Sequence, residues 1–377
     1  MRPGRRRWPL IVSLAVLAAC ALAGSANAAN EEAKAFGGDA EPRTVLETPH
    51  PIDEFAVGRS HVVWRSTWGG ERVNATLAVE QLRTRKRTRI ARESTRPSFG
   101  WYATFALLGL SEGRILWQYL VYDRWGVEDG DLRLARIADG RSKAIRERLN
   151  DSWILDGDRA PFLAGDVYGR MLNPGECLDE WDQPTATCRW VPAGGVFRLE
   201  GDRYRALGAL PPSLALSASR GQVALVPADP QETIGPGFWP HPFPAVELRS
   251  YEDGALLHTI PLTGTPRAIT LSPQVLAVLL EEGGALRLER FRRDGTFLGT
   301  TSLPPRTAAR LESDRQWIVA HAGGRILAVN SDTGALTTLA TLRYPPVELQ
   351  ARDGRVYWAV NGGGRGRIKS LPLASNL

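Results

Sequence analysis

The sequence predicts an all-β protein, a seven-bladed β-propeller of four-stranded antiparallel blades whose last blade is closed by a strand from the N-terminus. Three observations carry this reading. A unit of four short apolar strands with a Gly- or Asp-containing turn recurs along the chain, the seventh copy stops after three strands, and a strand-like segment, Thr44–Thr48, precedes the first copy. The 377 residues are 43% hydrophobic and 23% charged, which suits a large core and excludes a disordered or membrane-integral chain. A β-sandwich followed by a second all-β domain would explain the strand content, but neither the repeated turn nor the truncated last unit.

Taken in order, residues 1–28 read as an export signal. Arg5, Arg6 and Arg7 form a charged start, Leu10 to Ala23 is apolar, and Ala26-Asn27-Ala28 offers small residues for cleavage. The apolar run is shorter than the ~20 residues a membrane span needs. Leu17-Ala18-Ala19-Cys20 offers an alternative, a lipoprotein signal over 1–19 with Cys20 lipidated. Residues 29–43 follow as a flexible N-terminal segment, and 44–373 as the propeller. The signal holds four arginines and no acid, so its removal lowers the formal charge from +6 to +2 and withdraws the case for nucleic-acid binding.

The first unit spans Ile52 to Ile90, and the second Phe105 to Arg146 with Asp139-Gly140 at its last hairpin. The third runs from Trp153 to Leu210 and the fourth from Leu214 to Leu262, with Asp253-Gly254. The fifth, Ala268 to Leu303, is the clearest: Ala268–Leu271, Val275–Leu280, Ala285–Phe291 and Phe297–Leu303, with Asp294-Gly295 expected in a type I′ turn. The sixth covers Ala309 to Leu342. The seventh starts at Val347, lacks a fourth strand, and is expected to borrow Thr44–Thr48, leaving no unpaired edge inside the ring.

Gly324-Arg325-Ile326-Leu327-Ala328-Val329-Asn330-Ser331-Asp332-Thr333-Gly334, followed by Asp353-Gly354-Arg355-Val356-Tyr357-Trp358, resembles the repeat of TolB-type and quinoprotein-like propellers. The resemblance covers roughly residues 44–373 and implies a fold. The metal site, aromatic floor and vicinal disulfide of quinoprotein dehydrogenases have no residue-by-residue counterpart here, so it implies no activity and no cofactor.

Cys177 and Cys188 remain once the signal is removed, and outside the cytoplasm they are expected to form a disulfide. Closing so short a loop stabilises by about 3 kcal/mol in the chain-entropy model. Two cysteines with no second Cys or His pair nearby are a poor zinc site. Gly109-Leu110-Ser111-Glu112-Gly113 matches the nucleophile-elbow pattern, but it joins two strands where the elbow needs a strand entering a helix. The five histidines, His50, His61, His241, His258 and His321, show no ligand spacing. Acidic runs at Asp123–Asp131 and Glu176–Asp182 match no calcium loop and read as solvated surface. No catalytic or metal residues are assigned.

Tryptophan divides into two groups. Trp64, Trp117 and Trp358 recur in register on the second strands and are expected to pack between blades. Trp68, Trp125, Trp181, Trp190 and Trp239 fall between second and third strands, where units one to four carry longer connections, longest in units three and four. These connections share one face of the disc. The fourth, Gly235 to Pro244, is braced by prolines that fix φ. Exposed aromatic anchors mark recognition surfaces. The expectation is a monomeric, non-catalytic binding propeller, secreted or in the cell envelope, recognising a protein or glycan through Trp68, Trp125, Trp181, Trp239 and Phe243, with a membrane link through Cys20 if lipidated. The alternative is an enzyme (a lyase, hydrolase or quinone-dependent oxidoreductase) with its site in the central channel.

Overall fold

The computed structural model describes residues 34–35, 41–70, 72–96, 102–111, 113–123, 126–147, 153–155, 162–165, 170–171, 190–191, 195–200, 203–211, 213–227 and 243–373. Two strands, β1 (Lys34–Ala35) and β2 (Arg43–Thr48), precede the blades. Blade 1 is β3 (Glu54–Val57), β4 (His61–Gly69), β5 (Val73–Gln81) and β6 (Arg87–Thr95). Blade 2 is β7 (Tyr102–Ser111), β8 (Arg114–Asp123), β9 (Gly126–Arg136) and β10 (Ser142–Glu147). In blade 3, β11 (Trp153–Leu155) and β12 (Phe162–Gly165) are followed by a separate ribbon of β13 (Arg170–Met171) and β14 (Trp190–Val191). The blade is completed by β15 (Gly195–Glu200) and β16 (Arg203–Ala209).

Blade 4 is β17 (Ser213–Ser219), β18 (Gln222–Pro227), β19 (Ala245–Ser250) and β20 (Leu256–Pro261). Blade 5 is β21 (Thr265–Leu271), β22 (Val275–Glu282), β23 (Ala285–Arg292) and β24 (Phe297–Leu303). Blade 6 is β25 (Glu312–Asp314), β26 (Trp317–Ala322), β27 (Arg325–Asn330) and β28 (Leu336–Thr341). Blade 7 is β29 (Leu349–Arg352), β30 (Arg355–Gly362) and β31 (Arg365–Pro372), and β2 supplies its outer strand, running antiparallel from Arg43 opposite Ser370 to Thr48 opposite Gly366. The seven sheets and the N-terminal closure are those the repeat predicts. β1 pairs with β28 as a fifth strand of blade 6, inside the segment for which the sequence suggested no regular structure.

The core lies between blades. Along β22 the side chains alternate in direction, so Leu276, Val278 and Leu280 pack toward blade 4 while Val275, Ala277 and Leu279 pack toward blade 6. Being covered on both faces, such second strands read as continuous apolar runs. Seven hydrophobic clusters result, one for each junction between neighbouring blades. The cluster at the ring seam combines Leu46, Tyr357, Ala359 and Ile368 of blade 7 with Phe55, Val57, Val62 and Trp64 of blade 1. Trp64, Trp117 and Trp358 are all buried, at 5%, 4% and 0% exposure, which is the interblade role their register predicts.

The seam is also tied at its polar edges. Ile52 N–H donates to Asn361 Oδ1 (2.8 Å), and Asn361 Nδ2 donates back to Ile52 O (2.9 Å). The free edge of β2 is capped from blade 1: Arg85 Nη1 donates to Val45 O (2.5 Å) and Arg87 Nη2 to Glu47 O (3.0 Å). Both guanidiniums are held by the buried Glu80, at 2.8 and 2.6 Å.

The Asp-Gly hairpins differ from the expected type I′ turns. At Asp294-Gly295 the loop has three residues, closed by Arg292 N–H to Thr296 O, and Gly295 alone carries a positive φ, 86°. Asp294 stays right-handed because its carboxylate accepts the Thr296 N–H (2.9 Å), as Asp253 does for Ala255 and Asp139 for Arg141. The turns with two left-handed residues are on the opposite face. Gly283 and Gly284 have φ of 57° and 81°, and Gly323-Gly324 and Gly363-Gly364 repeat the pattern.

Candidate functional site

Each innermost strand pairs on one side only, leaving its other edge of N–H and C=O groups toward the next blade. Side chains from neighbouring blades satisfy these groups. Gln350 of blade 7 accepts from Val57 N (2.9 Å) and donates to Phe55 O (2.8 Å) of blade 1. Glu54 of blade 1 accepts from Leu107 N (2.6 Å) of blade 2, and Ser217 of blade 4 accepts from Leu271 N (2.9 Å) of blade 5. Asp314 of blade 6 accepts from Gly354 N of blade 7. These bonds ring a central channel of about 460 Å³, lined by the first strands of blades 1, 2, 4, 5, 6 and 7.

One mouth of the channel is strongly charged. Glu54, Arg310, Glu312 and Glu348 stand where the chain enters the first strands, on the face that carries the second-to-third-strand turns. Glu348 is 7% exposed and joins three blades: Oε2 accepts the Phe55 N–H of blade 1 (2.5 Å), and Oε1 meets Arg310 Nη1 of blade 6 (2.7 Å). Arg310 Nε lies 3.6 Å from Glu312. Beside them, Arg65 Nε pairs with Glu54 (3.3 Å) and more distantly with Asp53 (3.8 Å), and its Nη1 donates to Phe105 O of blade 2.

The electrostatics follow from enclosure. Burial, with Glu348 adding repulsion against the pull of Arg310, pushes the Glu312 carboxyl up to about 7. Burial likewise raises Glu348, Glu54 and Asp53, each opposed by a nearby arginine. His321, across from this group on β26, is lowered by burial and by the Arg310 charge. Among the described residues no group of three or more His, Cys, Asp or Glu is arranged to hold a metal ion. The mouth offers instead a spread of carboxylates bridged by arginines.

The predicted aromatic contacts are only partly within the described residues. Trp68 lies in β4 rather than in a loop, opposite Asn74, because the β4–β5 hairpin is drawn out as paired strand. Half-buried, Trp68 stacks on His50 at 3.7 Å with planes 3° apart. Trp125 lies outside the described residues, between β8 and β9, where the expected long connection is taken up by strands of 10 and 11 residues with a bulge at Val121/Tyr122. Trp181, Trp239, Cys20, Cys177 and Cys188 also lie outside the described residues. Phe243 is 41% exposed at the entry to β19, its N–H bonded to Pro227 O, on a different blade from Trp68. Ser111 of the elbow-like motif is buried in the tight β7–β8 turn, paired with Arg114, with no helix after it.

Sequence reasoning missed two groups. Tyr344 and Val347, 52% and 45% exposed, stand on the link from blade 6 to blade 7, with the Arg343 guanidinium 5.4 Å from the Tyr344 ring. Their signal was the Tyr344-Pro345-Pro346 run, an aromatic braced by prolines like the fourth connection. The second group is the charged mouth. Its signal was a glutamate at the head of first strands, at Glu54, Glu312 and Glu348, where the repeat otherwise asks for apolar residues.

No family model matches the chain, and no curated protein matches it. A chain of the mitotic checkpoint complex superposes with a TM-score of 0.52 at 9% identity, over 89% of this chain and 96% of that one. Saccharomyces cerevisiae Sqt1 gives 0.49 at 8% identity, over 91% and 100%. TolB from Acinetobacter baumannii gives 0.36 at 15% identity, over 68% and 55%. These neighbours are β-propellers. At such identities the likeness is one of fold: this chain is built as a β-propeller.

Proposed function

We propose that this protein is an exported, non-catalytic binding propeller that recognises a protein or glycan partner through the face bearing the second-to-third-strand connections. The observation that carries the reading is the exposure of Phe243, Tyr344 and Val347 on the face where the charged channel mouth opens. Exposed large apolar groups beside a polar, open cavity are the makings of a recognition surface. The exposed Leu256, Phe297 and Leu336 on the outer strands have a simpler origin, since each is the first residue of a fourth strand and recurs with the repeat.

The test is capture from envelope and culture-medium extracts, with the mature chain (residues 29–377) as bait beside a Phe243→Ala/Tyr344→Ala variant of matched thermal stability. A specific protein or glycan held by the wild type and lost by the variant supports the reading. Equal capture by both, or capture by neither, refutes it. A channel enzyme is the second reading, favoured by Glu312, whose pKa of about 7 suits general acid–base work at neutral pH. It predicts turnover of some substrate in a hydrolase and lyase panel, abolished by Glu312→Gln.

A further inference from the structure

We propose that the channel mouth is a docking pocket for a basic side chain, an arginine or lysine presented by a protein partner; the inference rests on the recognition-face reading and names the partner's chemistry. Asp53, Glu54, Glu312 and Glu348 cluster beside the mouth with Arg65 and Arg310, a surplus of two carboxylates when all are ionised, and of these Glu312 and Arg310 line the channel itself. Of the other two arginines that line the channel, Arg267 is matched by Glu281 at 2.5 Å, and Arg352 ends β29 at the far end of the channel from Glu348. The mature chain as a whole carries a small positive charge, so this surplus is local.

The carboxylates belong to three blades and do not converge on one point, as a bare cation would require. Glu348 is fixed by its bonds to Phe55 N–H and Arg310 and serves to set the local charge, while Glu54, held by its bond to Leu107 N–H, and Glu312 are the partly exposed acceptors. Glu312, 3.6 Å from Arg310, is too far for a strong hydrogen bond. A guanidinium or ammonium, with several N–H donors pointing different ways, suits such dispersed acceptors. An anionic ligand would add to the existing repulsion.

The channel lining reaches Arg310 and Glu312 at the entry to β25, on the face on which Phe243, Tyr344 and Val347 are exposed, and these would meet the apolar neighbours of a basic residue on a polypeptide. A free inorganic cation would have no use for them.

The experiment is calorimetric titration of the mature chain with acetylated, amidated tetra-arginine and tetra-lysine at pH 8 and low salt, with tetra-glutamate as control. Glu312→Gln removes one charge without touching the bond between Glu348 and Phe55, and Glu252→Gln removes an exposed charge at the far hairpin of blade 4. Saturable one-to-one binding of a cationic peptide, weakened about 5- to 10-fold by Glu312→Gln and unchanged by Glu252→Gln, supports the proposal. No binding of either cationic peptide, equal weakening by both variants, or equal binding of tetra-glutamate overturns it. Retained partner capture without cationic-peptide binding overturns the mouth proposal alone; loss of all capture overturns the face reading itself.

Discussion

The charged mouth ties folding stability to pH with a sign opposite to that of ordinary salt-bridged carboxylates. Glu312 in the folded protein has a pKa of about 7, against 4.5 for the ordinary carboxyl of an unfolded chain. Between these values the native state binds the proton more tightly than the unfolded state does. Its stabilising contribution is therefore fully present below pH 4.5 and is lost as pH rises through 7. A gap of about 2.5 pK units corresponds to roughly 3 kcal/mol. For a propeller of some 330 ordered and connecting residues, that is a fall in Tm of about 4 °C, most of it between pH 5 and pH 7. Glu348, Glu54 and Asp53 are raised as well and act in the same direction.

The histidines act the other way. His50, His61 and His321 are lowered by burial, so each adds stability as pH rises through the ordinary histidine range. The difference between wild type and Glu312→Gln isolates the carboxyl from these. The assay is thermal unfolding of residues 29–377 followed by tryptophan fluorescence at half-unit steps from pH 5 to 8.5, with Trp64, Trp117 and Trp358 as buried reporters. Relative to its offset at pH 5, Glu312→Gln is expected to gain on the wild type chiefly between pH 5 and 7 and to level off above, the gain reaching about 4 °C at pH 8. Parallel profiles for the two proteins would refute the assignment of a perturbed carboxyl at this site.

Three further outcomes follow from the seam. Gly366→Ala places a Cβ 2.6 Å from Ile52 Cγ1, 2.8 Å from Ile52 N and 2.9 Å from His50 O, where two backbones meet, and is expected to cost about 1–3 kcal/mol by urea or thermal unfolding. Glu80→Ala leaves Arg85 and Arg87 without the carboxylate that aims them at β2; because both arginines are half-exposed, the loss is about 1–2 kcal/mol, read as a lower Tm with unchanged far-ultraviolet circular dichroism. Deleting residues 1–48 removes the outer strand of blade 7 and is expected to abolish cooperative unfolding, whereas deleting 1–40 removes only the two-residue β1 and leaves Tm within about 2 °C.

The blade plan was legible because its cause is local and repeated. Val275–Leu280 reads as a continuous apolar run because β22 is covered on both faces there, and the same cause acts in every blade. The borrowed strand was legible by subtraction, since seven units with twenty-seven strands leave one edge open. The turn types were not. Asp294-Gly295 is compatible with either hairpin geometry, and the hydrogen bond from Thr296 N–H to the Asp294 carboxylate decides between them. The charged mouth was least legible. Glu54, Arg310 and Glu348 are 256 and 38 residues apart along the chain and become neighbours through ring closure alone. Trp68 differs in placement: the sequence put it in the connection after the second strand, and the paired β4–β5 hairpin extends far enough to hold it in strand, stacked on the His50 ring.

Stability and recognition at the mouth have opposite pH signs, and this gives the docking proposal a second, independent signature. A cation entering the mouth interacts with the ionised carboxylates, so binding lowers the Glu312 pKa and releases a proton wherever Glu312 was protonated. Affinity for tetra-arginine should therefore rise between pH 6 and pH 8, and bound peptide should return part of the stability lost between pH 5 and pH 7 as a higher Tm. The heat of binding measured in two buffers of different ionisation enthalpy counts the proton released, about half a proton per site near pH 6.5 for a 10-fold coupling and a small fraction at pH 8.5. Binding with no proton release at either pH would mean that the peptide sits away from Glu312, whatever its affinity.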